Sequence, residues 1–237
     1  MYYKFYRRLP VKENGVYFLN SKTSKTSSVA SSFSSQIPCV VHLLDKLRPQ
    51  TILDIGKGFG KYGFLVHEYV GIDNQKQLNP ELSMSQQSRV CIDCIEVDRD
   101  LLLPHLTQFY NNVFVGDVFD IYQTLPRYDL VLMIDVIEHL DKEKAISLLK
   151  YYISKRANII IATPVEFFEQ KLYESEYENH ISHWRKADFE KIGYLDYQRF
   201  DSGMVYLLSG EKREIRGFGK ALIKKLRRIA RTIRNEF

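Results

Sequence analysis

The sequence predicts an α/β fold, in which a seven-stranded, mostly parallel sheet carries helices on both faces and ends in a C-terminal antiparallel hairpin. Two observations support this prediction. Apolar, strand-like runs alternate with helix-like patterns between residues 51 and 163, an order that is typical of a parallel sheet. Two further strand-like runs, 194–200 and 204–210, are separated by the turn sequence Asp-Ser-Gly, which indicates a hairpin.

Each predicted element follows from its local pattern. The helices carry apolar residues at helical spacing, and Pro104 limits one of them early. The run 128–135 is continuously apolar, as expected of a strand that is buried on both faces. The segments predicted as strands are 51–55, 89–97, 112–117, 128–135 and 157–163, and those predicted as helices are 37–47, 61–70, 100–110 and 142–154.

Composition divides the chain into three parts. Residues 1–35 form an N-terminal extension with a Ser-rich linker, and 36–210 form the main domain, with a polar insertion at about 71–88. Residues 211–237 hold ten Lys or Arg against three Glu, a net charge of +7, so the remainder of the +5 chain carries −2. This mild acidity argues against a nucleic-acid groove on the main domain.

The basic tail 211–237 has apolar residues at helical spacing, which predicts an amphipathic helix. Such a helix either lies on an anionic membrane, binds a protein partner or docks on its own domain. The sequence shows neither an apolar run of membrane-spanning length nor a secretory signal, so we expect a cytoplasmic protein, peripheral at the inner membrane face if the tail is an anchor. Cys91 and Cys94 fall on a predicted strand, where residues three apart face opposite sides, so we interpret them as strand cysteines.

A glycine-rich loop follows the first strand of the main domain. It lacks the Lys-Ser/Thr pair of a phosphate-binding P-loop. The pattern GxGxxG occurs, but its first glycine does not end the strand, as a dinucleotide site requires. Asp54, two residues before Gly56, would repel a pyrophosphate and would favour a cationic ligand.

The stretch "LDIGKGFG" resembles the first motif of class I S-adenosylmethionine-dependent methyltransferases, D-x-G-x-G-x-G. Later motifs follow in order, in "CIEVD", "VGDVFD", "YDLVLMIDVIEHL" and "IIIATPV", and the resemblance spans roughly residues 36–210. It implies a Rossmann-like fold and S-adenosyl-L-methionine as cofactor. In that family the loop contacts the cofactor, an acid after the second strand binds the ribose, and an acid after the third reads the adenine. The cofactor-binding residues implied here are Asp54, Gly56, Lys57, Gly58, Gly60, Glu96, Asp117, Val118 and Asp135.

Two departures from the family pattern concern Lys57 and Glu96. Lys57 replaces a residue that is often small, and we expect its side chain to point to solvent, since the family's loop contacts the cofactor through backbone atoms. Glu96 lies 36 residues after Gly60, farther than usual, because the polar insertion intervenes. We prefer Glu96 over Asp98 as the ribose ligand, since Glu96 ends the apolar run.

Three histidines are candidate catalytic residues: His139, His180 and His183. Asp135, Glu138 and His139 have the i, i+3, i+4 spacing of one helix face. We interpret Asp135 as a cofactor contact and His139 as a general base; a metal cluster and a helix N-terminal cap are the alternatives, and we expect no metal. His180, His183 and Trp184 lie between the predicted fifth strand and the hairpin, where members of the family commonly bind the acceptor. Either these residues bind a sugar or aromatic acceptor, or Trp184 packs in the core and the two histidines are solvated.

The sequence therefore predicts methyl transfer from S-adenosylmethionine to a small-molecule or glycan-like acceptor, at oxygen. The tetrapeptide used for amino-group methylation of planar groups is absent from the sequence. Two alternatives stay open at this point. One is an NAD(P)-dependent oxidoreductase on the dinucleotide-binding fold, and the other is a cofactor-binding scaffold without catalysis.

Overall fold

A computed structural model of the protein describes residues 12–13, 16–18, 32–72, 78–166, 177, 179–201 and 203–212. The strands are β1 (Lys12–Glu13), β2 (Val16–Phe18), β3 (Thr51–Ile55), β4 (Cys91–Glu96), β5 (Asn112–Val115), β6 (Leu130–Ile134), β7 (Asn158–Pro164), β8 (Tyr194–Phe200) and β9 (Gly203–Ser209). The helices are α1 (Ile37–Leu47), α2 (Lys61–Val66), α3 (Met84–Gln87), α4 (Leu106–Phe109), α5 (Val118–Ile121), α6 (Lys142–Ser154) and α7 (Lys186–Glu190). A π-helical turn, His67–Gly71, continues α2.

The described strands form one sheet in the order β1-β2-β5-β4-β3-β6-β7-β9-β8. The seven strands from β3 to β9 match the predicted Rossmann-like sheet: the pairings from β5 across to β7 are parallel, and β9 is antiparallel to both β7 and β8. The predicted fold class is thus confirmed. The short strands β1 and β2 extend the sheet beyond β5, which the sequence analysis did not predict.

Helices cover both faces of the sheet because alternate strand residues point to opposite sides. On one face, Ile52 and Leu132 pack with α1, α2 and α4. On the other face, Leu53 and Met133 pack with α5, α6 and α7. All five residues of β6 are buried, as its continuous apolar run predicted. At the centre of the sheet, β6 therefore offers polar groups only beyond its ends.

The chain order places a topological switch point at the carboxyl ends of β3 and β6. From β3 the chain continues to β4 and β5 on one side, and then crosses to β6 and β7 on the other. A crevice opens where the connections diverge, and in open α/β sheets ligands bind there. The glycine loop follows β3 and Asp135 follows β6, so both lie at this point.

Several predicted segments differ in detail. The predicted helix 100–110 is shorter: a 3₁₀ turn at Arg99–Leu101 precedes Pro104, and α4 begins only at Leu106. Within the polar insertion, α3 starts with a capping box at Ser83. Residues 73–77 of the insertion and 213–237 of the predicted basic helix lie outside the described residues.

Cys91 and Cys94 lie on β4 as free thiols, with Cys94 buried, so the prediction of strand cysteines is confirmed. Helices in the described part of the chain are too short or too polar to cross a membrane.

Candidate functional site

The predicted cofactor residues meet at one edge of the sheet. Backbone hydrogen bonds continue the strand pairing past the carboxyl ends: Gly56 N donates to Ile95 O at 3.0 Å, Gly116 N to Glu96 O at 2.8 Å, and Asp135 N to Ala162 O at 2.9 Å. These bonds hold the connections after β3, β5 and β6 beside their neighbouring strands. The edge is therefore a continuous polar rim over an apolar sheet.

The glycine loop requires glycine for conformational reasons. Gly56, Gly58 and Gly60 have φ of +69°, +53° and +83°, in the left-handed region that side chains disfavour. A Cβ on Gly56 would also lie 2.5 Å from Cγ2 of Val136, in the connection after β6. The loop therefore lets the ends of β3 and β6 approach each other, and it turns directly into α2.

Asp54 is buried inside β3, where it pairs in register with Cys94 of β4. The hydroxyl of Tyr110 donates a hydrogen bond to Asp54 Oδ2 at 2.6 Å. Burial raises the pKa of Asp54 to about 7. A Cβ on Gly63 would lie 2.6 Å from the Tyr110 ring, so glycine at this position makes room for the tyrosine. Sequence reasoning did not find Tyr110, which is 56 residues away along the chain.

Lys57 is buried, which makes the expectation of a solvent-directed side chain wrong. Its Nζ donates to the backbone oxygens of Leu101 at 2.9 Å and Gly58 at 3.2 Å, and it lies 3.5 Å from Glu96 Oε2. The side chains of Lys57 and Glu96 are 0% and 6% exposed. The lysine faces inward because the buried carboxylate of Glu96 needs a cation.

Glu96 and Asp98 lie together at the end of β4. Glu96 Oε1 accepts a hydrogen bond from the backbone N–H of Asp98 at 3.0 Å, while Oε2 faces Lys57. These contacts orient the Glu96 carboxylate, and burial raises its pKa. A carboxylate held in this way can still accept hydrogen bonds from a ligand, because each oxygen has two lone pairs.

Asp117 follows β5 and caps the short helix α5. Its Oδ1 accepts from the backbone N–H of Phe119 at 2.9 Å, and the residue is exposed, whereas Val118 is buried. The structure therefore places Asp117 at the rim beside β4, next to the end that carries Glu96.

Asp135 has φ of +53°, which is strained for a residue other than glycine. Its Oδ2 accepts from Gln36 Nε2 at 2.8 Å. Residues 32–36 thus form a segment, which we call the strap, that lies across the β6 end of the rim. Lys61 Nζ donates to Ser32 Oγ at 3.0 Å and to Ser32 O at 2.6 Å, which ties the strap to α2. Sequence reasoning assigned this stretch to a linker boundary and did not find Gln36.

Asp135, Glu138 and His139 do not share one helix face. Ile137–His139 form a 3₁₀ turn, and α6 begins after Asp141, whose Oδ1 caps it by accepting from Lys144 N at 3.0 Å. The alternative in which the earlier acids cap this helix is therefore wrong. Leu140 is extended and interrupts the helix.

The side chains of Glu138 and His139 contact the end of β7 and the loop that follows it. Glu138 is 3% exposed, accepts from Thr163 Oγ1 at 3.1 Å, and has its pKa raised to about 8 by burial, with the charge of Asp135 adding to the effect. The ring of His139 lies with Nδ1 3.1 Å from Asn179 O, and burial lowers its pKa to about 4. His139 is therefore neutral at physiological pH.

The loop after β7 brings His180 to His139. The two ring centroids are 4.9 Å apart, and Glu138, His139 and His180 each offer a potential ligand atom within 4.8 Å of the other two. His183 lies apart from this group, with its ring nitrogen Nε2 3.3 Å from Val165 O. The three predicted catalytic histidines thus divide into a pair and a single residue.

Trp184 packs in the core rather than facing a ligand. It is 3% exposed, stacks on Phe189 with ring centroids 5.2 Å apart, and donates from Nε1 to Ile137 O at 3.0 Å. Its burial confirms the core-packing alternative, and its hydrogen bond fastens the histidine loop to the 3₁₀ turn.

Comparison with solved structures identifies the fold. The methyltransferase domain of bacterial CtHen1-CN matches with a TM-score of 0.50 at 19% identity, over 74% of this chain and 97% of that one. The N-terminal domain of EvdMO1, solved in the presence of SAH and D-fucose, matches with a TM-score of 0.53 at 14% identity, over 76% of this chain and 85% of that one. Monomeric WbdD matches with a TM-score of 0.50 at 18% identity, over 80% of this chain and 44% of that one.

These likenesses show a methyltransferase-type Rossmann-like fold. At the level of sequence, neither a protein-family model nor a curated protein matches the chain.

The Lys57–Glu96 pair yields a stability prediction. Lys57→Met leaves Glu96 buried without its cation and should lower the free energy of unfolding by about 3–5 kcal/mol in urea denaturation. The double variant Lys57→Met/Glu96→Gln removes the uncompensated charge and should recover part of that loss. As a control, Lys186→Met breaks the exposed ion pair with Glu190 and should cost at most about 1 kcal/mol. Equal stability of Lys57→Met and the wild type would contradict the pairing.

Asp54 predicts a dependence of stability on pH. In the folded state Asp54 keeps its proton up to about pH 7, whereas an aspartate in the unfolded chain ionises near pH 4. The contribution of Asp54 to the free energy of unfolding is therefore fully present below about pH 4. That contribution is lost as the pH rises through this window, by at most about 4 kcal/mol. Asp54→Asn should remove it, so the difference in unfolding free energy between variant and wild type should change from pH 4 to 8. Parallel curves for the two proteins would show that Asp54 does not titrate in this way.

Proposed function

We propose that the chain is an S-adenosylmethionine-dependent methyltransferase that methylates a hydroxyl oxygen of a small-molecule or glycan-like acceptor. The observation that carries the proposal is the combination at one switch point of buried Asp54, the loop of left-handed Gly56, Gly58 and Gly60, and Glu96 on the next strand. This combination lies on a fold shared with a methyltransferase domain.

The electrostatics of the rim favour a cationic cofactor. S-adenosylmethionine carries a sulfonium and an ammonium group, and supplies an electrophilic methyl group when bound. Asp54 precedes the glycine loop and Asp135 follows β6, and burial raises the pKa of both carboxyl groups. A bound cation stabilises their ionised forms. Glu96 would accept the ribose hydroxyls, and Asp117 and Val118 would line the adenine.

The strand order argues against the oxidoreductase alternative. The dinucleotide-binding fold has six parallel strands in the order 3-2-1-4-5-6. Here the strand beside β7 is the antiparallel β9, so that edge of the sheet differs. Asp54 also lies where a pyrophosphate would approach the loop, and its ionised form would repel the phosphates. Only a measurement of turnover distinguishes an enzyme from a non-catalytic cofactor-binding scaffold.

The acceptor proposal rests on charge and on the candidate catalytic groups. Residues 1–210 carry a net charge of −2 and so offer little attraction to a nucleic acid. EvdMO1, one of the structures with a similar fold, was solved with D-fucose present, which makes sugars a reasonable first acceptor class to test. We place the protein in the cytoplasm, with the basic tail 211–237 as a contact for a membrane surface or a protein.

Calorimetry tests the cofactor. S-adenosylhomocysteine should bind more tightly than NAD, and Glu96→Gln should weaken its binding by about 1.5–3 kcal/mol, the range for hydrogen bonds to a charged group. The exposed carboxylate variant Asp120→Asn serves as a control and should bind like the wild type. If Asp98→Asn weakens binding and Glu96→Gln does not, Asp98 is the ribose ligand. Tighter binding of NAD would overturn the proposed function.

Turnover with a library of hydroxyl acceptors tests catalysis. Hydroxyls are poor nucleophiles at neutral pH, so we expect that one of His139→Ala, His180→Ala and His183→Ala loses about 10²–10⁴-fold in turnover while still binding S-adenosylhomocysteine. Near-full activity of all three variants would exclude a histidine from the step. Absence of turnover with every acceptor, alongside tight cofactor binding, would favour the scaffold.

A further inference from the structure

The group formed by Glu138, His139 and His180 has the composition of a metal site. One carboxylate and two imidazoles each present a potential ligand atom within 4.8 Å of the other two. Carboxylate oxygen and imidazole nitrogen together suit divalent first-row transition metals such as zinc, manganese, iron and cobalt. The three side chains come from two segments, the 3₁₀ turn after β6 and the loop after β7, so the fold rather than local sequence brings them together.

The orientation of His139 is that of a metal ligand. With Nδ1 3.1 Å from the carbonyl oxygen of Asn179, the ring donates its Nδ1–H there. Nε2 is then unprotonated, and its lone pair is available. In protein metal sites a ligating histidine commonly donates its other N–H to a backbone carbonyl or a carboxylate, which fixes the tautomer and the ring direction.

Glu138 is a buried acid whose ionised form needs a positive charge nearby. Its side chain accepts a hydrogen bond from Thr163, and among the described residues no lysine or arginine forms an ion pair with it. Burying a carboxylate is costly unless it is paired or coordinates a metal. Asp135, three residues earlier, adds further negative charge. A divalent cation would neutralise both acids.

The site is rigidly supported. The backbone N–H groups of Ile181 and Ser182 both donate to Glu138 O, at 2.9 and 3.0 Å. Ser182 Oγ and Trp184 Nε1 donate to Ile137 O, at 3.1 and 3.0 Å. These four bonds fasten the loop that carries His180 to the turn that carries Glu138 and His139. A preorganised set of ligands of this kind favours metal binding because little is ordered on binding.

We propose that Glu138, His139 and His180 bind a divalent first-row transition-metal ion beside the acceptor position. Three protein ligands leave coordination positions open, as in catalytic rather than structural metal sites. The catalytic part of this inference rests on the proposed function. There the cation lowers the pKa of the acceptor hydroxyl, whose proton passes to water. An oxygen lone pair then forms the O–C bond, while the C–S bond breaks and leaves its electron pair on sulfur as a neutral thioether.

Metal titration of the full chain tests the site directly. After treatment with a chelator, the protein is titrated with MnCl₂ and with CoCl₂, followed by calorimetry and by the visible absorption of Co²⁺. We expect one tight equivalent and a metal-dependent rise in the unfolding temperature. Glu138→Gln, His139→Ala and His180→Ala should each weaken binding by more than the roughly 10–100-fold that loss of a supporting residue costs.

Two controls keep the outcome interpretable. His183→Ala removes a histidine of the same loop that lies outside the group, and should bind Mn²⁺ and Co²⁺ like the wild type. Glu138→Gln keeps the side-chain volume and the contact with Thr163, so it should fold, and its unfolding temperature should no longer respond to metal. Failure of the wild type to bind Mn²⁺, Co²⁺ or Zn²⁺, or unchanged binding in the three ligand variants, would overturn the site.

The metal site and the proposed function can fail separately. Binding of S-adenosylhomocysteine without metal binding would overturn the metal site alone. Metal binding without any affinity for S-adenosylhomocysteine would overturn the proposed function and leave the metal site standing.

Discussion

Complete burial of the central strands is the constraint on which the rest of this structure depends. β3 and β6 are covered by helices on both faces, so all of their residues except Thr51, at the start of β3, are buried. The acids of the candidate site lie at or near the carboxyl ends of the strands, where the connections diverge. Gly56, the first of the three left-handed glycines after β3, leaves room for the side chain of Val136, so the ends of β3 and β6 can lie close together.

Four acidic groups share this edge: Asp54, Glu96, Asp135 and Glu138. Burial raises the pKa of each, because a carboxylate loses hydration there. Lys57 compensates Glu96 directly, and Lys61 lies close enough to Asp135 to lower that residue's pKa in part. With two lysines beside four acidic groups, this end of the sheet is still poor in positive charge. A sulfonium cofactor on the β3 side and a divalent cation at the end of β6 would both relieve the same electrostatic cost, which links the two proposals physically.

The residues of this site that could be predicted from the sequence are close together along the chain, and those that could not are far apart. Asp54 and the glycines were predictable because they are consecutive, and their spacing alone indicates a loop and a cationic ligand. Tyr110, Gln36 and Asn179 were not, because each acts on a residue at least 40 positions away. The direction of Lys57 was predicted wrongly for a related reason: its partners, Glu96 and Leu101, come close only when the sheet assembles.

By itself, the sequence determined the order of the strands from β3 to β9, the both-face burial of β6, the hairpin and the acid-then-glycine loop, because each depends on the periodicity or spacing of neighbouring residues. Tertiary structure alone decided where the histidines lie. It separated His183 from His139 and His180, and it placed Trp184 in the core. It also replaced the predicted helix face at Asp135–His139 by a 3₁₀ turn. The physical reason is that a side chain's direction at a strand end is set by the loops packed against it, and those contacts are made by residues far apart in the chain.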